Sequence, residues 1–198
     1  MLGNSIKKRK RETPSTPATP APIVGNTTAS ASTSAADLVG EYEVFLSFRG
    51  ADTRNGFTDY LYNDLIGARV RTFKDDNELP VGEEISAELP RAIEQSKISI
   101  PIFSKNYASS KWCLRELAHM VECWENGGQL IYPIFYDVKP NEVQHCERGS
   151  YKDAFLKYKN DKELDEKIVQ QWKEALEKVG GLKGLELKKE TNGYVPTH

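Results

Sequence analysis

Apolar residues in this chain gather into short runs that are separated by longer amphipathic segments. From Tyr42 onward, nearly continuous apolar stretches occupy residues 42–48 (YEVFLSF), 70–73, 98–103 (ISIPIF) and 130–136 (LIYPIFY). Strands that are buried on both faces have this continuous pattern, so the four runs predict a parallel sheet covered by helices on each side. A weaker fifth strand is predicted near residues 185–188.

Amphipathic segments of helical length lie between the apolar runs. They predict helices at about residues 54–67, 83–95, 110–125, 150–159 and 164–179. The alternation predicts an α/β fold with a doubly wound parallel sheet of about five strands in the order 2-1-3-4-5. In that order the connections leave strands 1 and 3 in opposite directions, so a ligand crevice is expected beyond their C-terminal ends. The loops at residues 49–54 and 104–111 should form its rim.

Composition divides the chain into unequal parts. All 19 aromatic residues follow position 40, whereas residues 1–40 hold four of the ten prolines and carry a net charge of +3. Such a segment buries too little apolar surface to offset the entropy of ordering it, so residues 1–40 are predicted to be a disordered basic, Pro/Ser/Thr-rich leader. Residues 41–190 are expected to form the folded domain, and residues 191–198 a tail or a junction to a missing domain.

The charge, the cysteine and histidine content and the length of the apolar runs argue against several classes of protein. Residues 41–198 carry 22 basic and 27 acidic side chains, and this acidic body makes nucleic acid an unlikely main partner. Three cysteines without CxxC spacing and three histidines suggest neither a disulfide framework nor a metal site. No apolar run approaches the ~20 residues of a membrane span. A cytoplasmic protein without a membrane association is expected, and the basic run at residues 7–11 leaves nuclear import open.

The first rim loop offers groups that suit a phosphate. Gly50 would permit positive φ and a close backbone approach, and Asp52 or Thr53 could cap the following helix, whose N-terminus favours an anion. The alternative is that both residues only cap the helix while Arg49 and Arg54 are solvated. Neither GxGxxG nor a P-loop motif occurs in the sequence.

The second rim loop leads into a helix that Ser109 or Ser110 should cap. In helical projection Glu116 lies at the border of the apolar stripe, so its carboxylate should face the crevice or its wall. The alternative is a rim glutamate paired with Lys105 or Lys111. A carboxylate beside aromatic rings suits cleavage of an N-glycosidic bond, because it stabilises the oxocarbenium charge that develops on the ribose.

Four blocks in order along the chain resemble those of a plant TIR domain, the signalling domain of TIR-type nucleotide-binding leucine-rich-repeat immune receptors. They are YEVFLSFRGADTR, FKDDNELPVGEEI, SKNYASSKWCLREL and IYPIFYDVKP. The resemblance covers residues 41–190 and implies a flavodoxin-like sheet of the kind predicted above. It also implies an NAD+ nucleosidase in plant defence and the hypersensitive response, which takes NAD+ or NADP+ as substrate and no cofactor. Its products would be ADP-ribose and cyclic or variant ADP-ribose signals.

The same resemblance assigns residues to the site. Glu116 matches the catalytic glutamate of the family, and the residues that would surround the nucleotide are Arg49, Gly50, Asp52, Thr53, Ser104, Tyr107, Trp112 and Cys113. Residues 75–83 match a flexible loop that closes over the ligand or a neighbouring molecule, although Val81 stands where arginine is common.

The family further implies activation by self-association, with other TIR-containing receptors as additional partners. A symmetric contact of the first and last helices and a second contact near the fourth helix are expected. The candidate surfaces are residues 57–65, 151–158 and 168–178. A non-catalytic scaffold that signals only through TIR–TIR contacts is the alternative function.

Overall fold

The computed structural model describes residues 42–74, 88–190 and 193–196. The predicted leader at 1–40 and the loop at 75–83 lie outside the described residues. Among the helices that are described, none combines the length and the apolar character needed to cross a membrane.

The predicted parallel sheet and its strand order are confirmed. The strands are β1 (Val44–Phe48), β2 (Thr72–Lys74), β3 (Ile98–Phe103), β4 (Leu130–Ile131), β5 (Ile134–Tyr136), β6 (Leu185–Glu190) and β7 (Gly193–Pro196). Their observed order is β2-β1-β3-β5-β6-β7, with β4 paired to β3, and every pair is parallel except β6–β7. The predicted fourth strand is divided into β4 and β5 around Pro133, which has no N–H to donate to a ladder. The sequence pattern did not predict β7, which lies within the segment expected to be a tail.

The helices follow the predicted pattern with two differences. The first helix starts at Gly50 instead of Arg54, and a π-helical turn with non-helical backbone angles at Asn55 and Gly56 divides it. A short helix fills part of the expected polar loop after β5, and its signal was Pro140 at the first helical position. The helices are α1 (Gly50–Thr53), the π turn (Arg54–Thr58), α2 (Asp59–Gly67), α3 (Glu88–Gln95), a 3-10 turn (Tyr107–Ser109), α4 (Lys111–Glu125), α5 (Pro140–His145), α6 (Gly149–Asn160) and α7 (Glu166–Gly180).

The two faces of the sheet pack against different helices. Phe45 of β1 belongs to the apolar cluster formed with α3, α4, α6 and α7, whereas its neighbours Val44 and Leu46 pack with residues of α2. Because successive side chains of a strand point to opposite faces, α2 and α7 lie on opposite sides of the sheet. The expectation of one joint contact surface from the first helix and residues 168–178 is therefore wrong, since the sheet separates them.

Candidate functional site

The two rim loops meet through Asp52 at the edge of the sheet where β1 and β3 end. Asp52 accepts hydrogen bonds from Ser104 Oγ at 2.6 Å, from the backbone N–H of Asn106 at 3.0 Å, and from Asn106 Nδ2 at 3.2 Å. Arg49 Nη1 adds a fourth contact at 3.1 Å. The predicted capping role of Asp52 is therefore wrong, because the carboxylate instead joins the loop after β1 to the loop after β3.

These contacts determine the charge of Asp52. Burial acts to raise the pKa of this carboxyl, but the hydrogen bonds from Ser104 and Asn106 and the charge of Arg49 outweigh it and hold the pKa below its usual value. Asp52 is consequently an anion at neutral pH. The ion pair with Asp52 uses part of the hydrogen-bonding capacity of Arg49, which the sequence had suggested as a ligand for a phosphate.

Gly50 and Thr53 serve the local packing of this rim. Gly50 lies within α1 and not in the left-handed region, so the expectation of positive φ is wrong. Its missing side chain leaves room for the guanidinium of Arg54, since a Cβ at Gly50 would lie 2.5 Å from Arg54 Nη2. Thr53 is buried and accepts a hydrogen bond from Thr58 Oγ1 at 2.8 Å, with no capping bond. The predictions of positive φ at Gly50 and of capping by Thr53 are therefore wrong.

Glu116 is turned inward from α4 onto strand β1. Its side chain is only 3% exposed, and Ser47 Oγ donates a hydrogen bond to Glu116 Oε2 at 2.6 Å. The alternative pairing with Lys111 is wrong, because Lys111 Nζ instead contacts Asp161 Oδ2 at 2.7 Å. Glu116 is therefore more deeply buried than the sequence had indicated, since its spacing placed it at the border of the apolar stripe.

Tyr107 and Cys113 belong to the same buried network as Ser47 and Glu116. The Tyr107 hydroxyl lies 2.7 Å from Ser47 Oγ and donates to the carbonyl oxygen of Cys113 at 3.2 Å. Burial, followed by the charges of Cys113 and Glu116, raises the pKa of Tyr107 well above its ordinary value, so this hydroxyl keeps its proton. The Cys113 thiol donates to the carbonyl of Phe48 at 3.4 Å, and therefore faces β1 as a packed side chain.

Helix α4 begins where the sequence placed its cap. The side chain of Ser110 accepts a hydrogen bond from the backbone N–H of Cys113 at 3.2 Å, which satisfies one of the free donors of the first turn. This cap fixes the start of the helix, and Glu116 follows in the second turn, facing the sheet.

A small cavity opens beside Glu116. It has a volume of about 110 Å³ and is lined by Leu89, Pro90, Ile93, Trp112, Arg115, Glu116 and His119. Ligand pockets usually measure roughly 300–1,000 Å³, so a cavity of this size accommodates one ring and not a whole dinucleotide. A larger cleft of about 570 Å³ lies between α6 and α7, and none of the predicted site residues lines it.

The predicted residues thus form two groups. Glu116, Tyr107 and Cys113 share a buried hydrogen-bonded network, and Trp112 borders the same cavity as Glu116. Arg49, Asp52 and Ser104 form the rim network. Sequence reasoning missed Ser47 and Asn106. The one available signal for Ser47 was a hydroxyl inside an otherwise apolar strand, and Asn106 carried none.

Comparison with known proteins identifies similar sequences. A protein-family model described as "TIR domain" matches residues 41–193. The chain is 44% identical over 143 residues to TMV resistance protein N of Nicotiana glutinosa, an alignment that covers 72% of this chain and 12% of that protein. It is 45% identical over 158 residues to disease resistance protein RPV1 of Vitis rotundifolia, covering 80% of this chain and 11% of that protein. The chain therefore spans about a tenth of the length of these relatives.

A solved structure is similar over most of the described domain. The TIR domains of the activated Roq1 resistosome, described as directly recognizing the pathogen effector XopQ, superpose with a TM-score of 0.65 at 45% sequence identity. This similarity covers 73% of the present chain and 87% of the Roq1 chain.

Proposed function

This chain belongs to the TIR domain family, and from that premise we propose that it is an NAD+ nucleosidase of plant immune signalling. The reaction cleaves the bond between nicotinamide and ribose in NAD+ or NADP+. Transfer of the ribose carbon to water yields ADP-ribose from NAD+, and its transfer to an atom of the same molecule yields cyclic or variant ADP-ribose signals. Glu116 is the catalytic residue of the proposal, and Trp112 lies against the same cavity.

The observation that carries this proposal is the environment of Glu116. Glu116 is 3% exposed, its carboxylate accepts a hydrogen bond from Ser47, and the residue borders a cavity large enough for one ring. Cleavage of the nicotinamide bond develops positive charge on the ribose, and a fixed anion in a water-poor site stabilises that charge more in the transition state than in the ground state. Nicotinamide departs as a neutral molecule, so the reaction needs no second carboxylate to protonate the leaving group.

The size of the cavity supports activation by self-association. Because the described residues enclose only about 110 Å³ beside Glu116, we infer that surfaces brought to the site by assembly help to hold the remainder of a dinucleotide. The similarity to the TIR domains of an activated resistosome supports the same conclusion. We therefore expect turnover to rise steeply with protein concentration, and other TIR-containing receptors to be able to join the assembly.

The proposal is tested by nicotinamide release from NAD+ over a wide range of protein concentration. Glu116→Gln preserves the size of the side chain and removes its charge, and should lower kcat by at least about 100-fold. Glu122→Gln is the matched control, because Glu122 lies on the same helix but is exposed, where it accepts a hydrogen bond from Gln171. Equal rates in the wild type and Glu116→Gln would remove Glu116 from the reaction.

A scaffold without catalysis is the second candidate, and Val81, which stands where arginine is common in the family's closing loop, favours it. This function predicts no turnover at any concentration, and cell-death signalling that survives Glu116→Gln. The concentration series therefore separates the two candidates in a single experiment.

A further inference from the structure

Ser47 occupies the centre of the buried hydrogen-bonded network. It is the fourth residue of β1, it is fully buried, and its Oγ lies 2.6 Å from Glu116 Oε2 and 2.7 Å from the Tyr107 hydroxyl. A serine hydroxyl has one proton to donate, and an ionised carboxylate can only accept. The Ser47 proton therefore points at Glu116, and the Tyr107 hydroxyl shares its single proton between Ser47 Oγ and the carbonyl oxygen of Cys113.

We propose that Ser47 is a positioning residue for Glu116: its hydroxyl, supported by Tyr107, fixes the orientation of the carboxylate and stabilises its anionic form. This inference rests on the proposed NAD+ cleavage, in which Glu116 must be charged and aimed at the ribose. A hydrogen bond to the charged form favours that form, and a chain of such bonds in a low-dielectric interior strengthens each member. Ser47 itself does not line the cavity beside Glu116.

A purely structural role does not account for this hydroxyl. Helix α4 is already attached to β1 by the Cys113 thiol, which donates to the carbonyl of Phe48 at 3.4 Å. The same helix also buries Leu114, Leu117 and Met120 completely against the core. Packing of α4 on the sheet is thus secured without Ser47, and the specific effect of its hydroxyl is on the Glu116 carboxylate.

The neighbouring strand provides a matched control in Ser99. It is also fully buried, and it is paired in register with Phe45, two residues before Ser47 on β1. Because residues two apart on a strand share a face, Ser47 and Ser99 point to the same side of the sheet. The Ser99 Oγ is buried and has no hydrogen-bond partner among the residues that the structure describes. Ser99→Ala therefore removes a buried hydroxyl that does not contact Glu116.

The experiment compares kcat, KM and the pH profile of NAD+ cleavage in Ser47→Ala, Ser47→Thr and Ser99→Ala. We expect Ser47→Ala to lower kcat about 10-fold and to move the acidic limb of the profile up by about one pH unit, because the anion has lost a donor. KM should stay within about twofold, since Ser47 binds no part of the substrate. Ser47→Thr should restore most of kcat and of the acidic limb, and Ser99→Ala should match the wild type in both.

An acidic limb that stays in place in Ser47→Ala would overturn the proposal, whatever happens to kcat. A wild-type protein without turnover would instead refute the proposed function, so the two failures are distinguishable. Should Ser47→Ala not fold, as judged by its thermal unfolding, Tyr107→Phe removes the supporting hydroxyl and keeps the ring. It should move the acidic limb in the same direction by a smaller amount, and an unmoved limb there would equally overturn the proposal.

Discussion

Replacement of Asp52 by asparagine tests the junction between the two rim loops. In the native chain Oδ2 accepts from Ser104 and from the backbone of Asn106, while Oδ1 accepts from Arg49 and from the Asn106 side chain. Asparagine keeps the shape but offers one acceptor oxygen in place of two, and its NH2 group must face donors. The least costly arrangement places the amide oxygen at the Oδ2 position, flips the Asn106 amide, and loses the Arg49 bond.

The magnitude follows from those contacts. A hydrogen bond to a charged group contributes about 1.5–3 kcal/mol and one to a neutral group about 0.5–1.5 kcal/mol. In Asp52→Asn the hydrogen bond to Arg49 is lost, and the remaining hydrogen bonds are made to a neutral amide instead of a carboxylate. The loss of stability is moderated because the Asp52 side chain is 13% exposed to solvent. We therefore expect Asp52→Asn to lower the free energy of unfolding by about 2 kcal/mol, which corresponds to a Tm lower by about 4–8 °C for a domain of this size.

The stability that Asp52 contributes should depend on pH in a definite direction. The folded-state pKa of Asp52 is below its usual value, so its contribution is fully present above the unfolded-state pKa and is lost as pH falls through the folded-state pKa. The difference in stability between the wild type and Asp52→Asn should thus be constant near neutral pH and shrink below about pH 4. Urea unfolding at a series of pH values measures this difference.

The control for this series is Asp153→Asn, because Asp153 is an exposed aspartate on α6. It should leave the free energy of unfolding within about 0.5 kcal/mol of the wild type. The reasoning would be refuted if Asp52→Asn were no more destabilising than Asp153→Asn at neutral pH, or if its effect persisted unchanged in acid.

One further substitution and one chemical modification test the packing. Gly184→Ala should destabilise the protein by about 1–3 kcal/mol, because a Cβ there would collide with the carbonyl oxygen of Pro133. Thermal unfolding measures this against Gly128→Ala, where a Cβ meets nothing within 4 Å, and equal melting temperatures would contradict it. Burial raises the pKa of Cys146 to about 12, so iodoacetamide should label it in the native protein at pH 8 far more slowly than the partly exposed Cys123. Mass spectrometry of digested samples distinguishes the two sites, and faster labelling of Cys146 would show that this thiol is accessible.

The sequence alone determined the layers of this protein and the start of helix α4. Continuous apolar runs predicted the parallel strands, because burial on both faces leaves no polar alternation. The alternation of these strands with helices predicted their order. Ser110 predicted the start of α4, since capping is a contact between near neighbours. Such features depend on periodicities of a few residues, which can be read directly from the chain.

Only the tertiary structure decided which distant residues meet. The bond between Ser47 and Glu116 joins residues 69 positions apart, and that between Asp52 and Ser104 joins residues 52 apart. Local spacing had suggested a helix cap for Asp52 and a border position for Glu116. Both suggestions failed for the same physical reason. A polar side chain that is buried needs a hydrogen-bond partner, and the pairing of distant strands in the sheet decides which residues are near enough to be that partner.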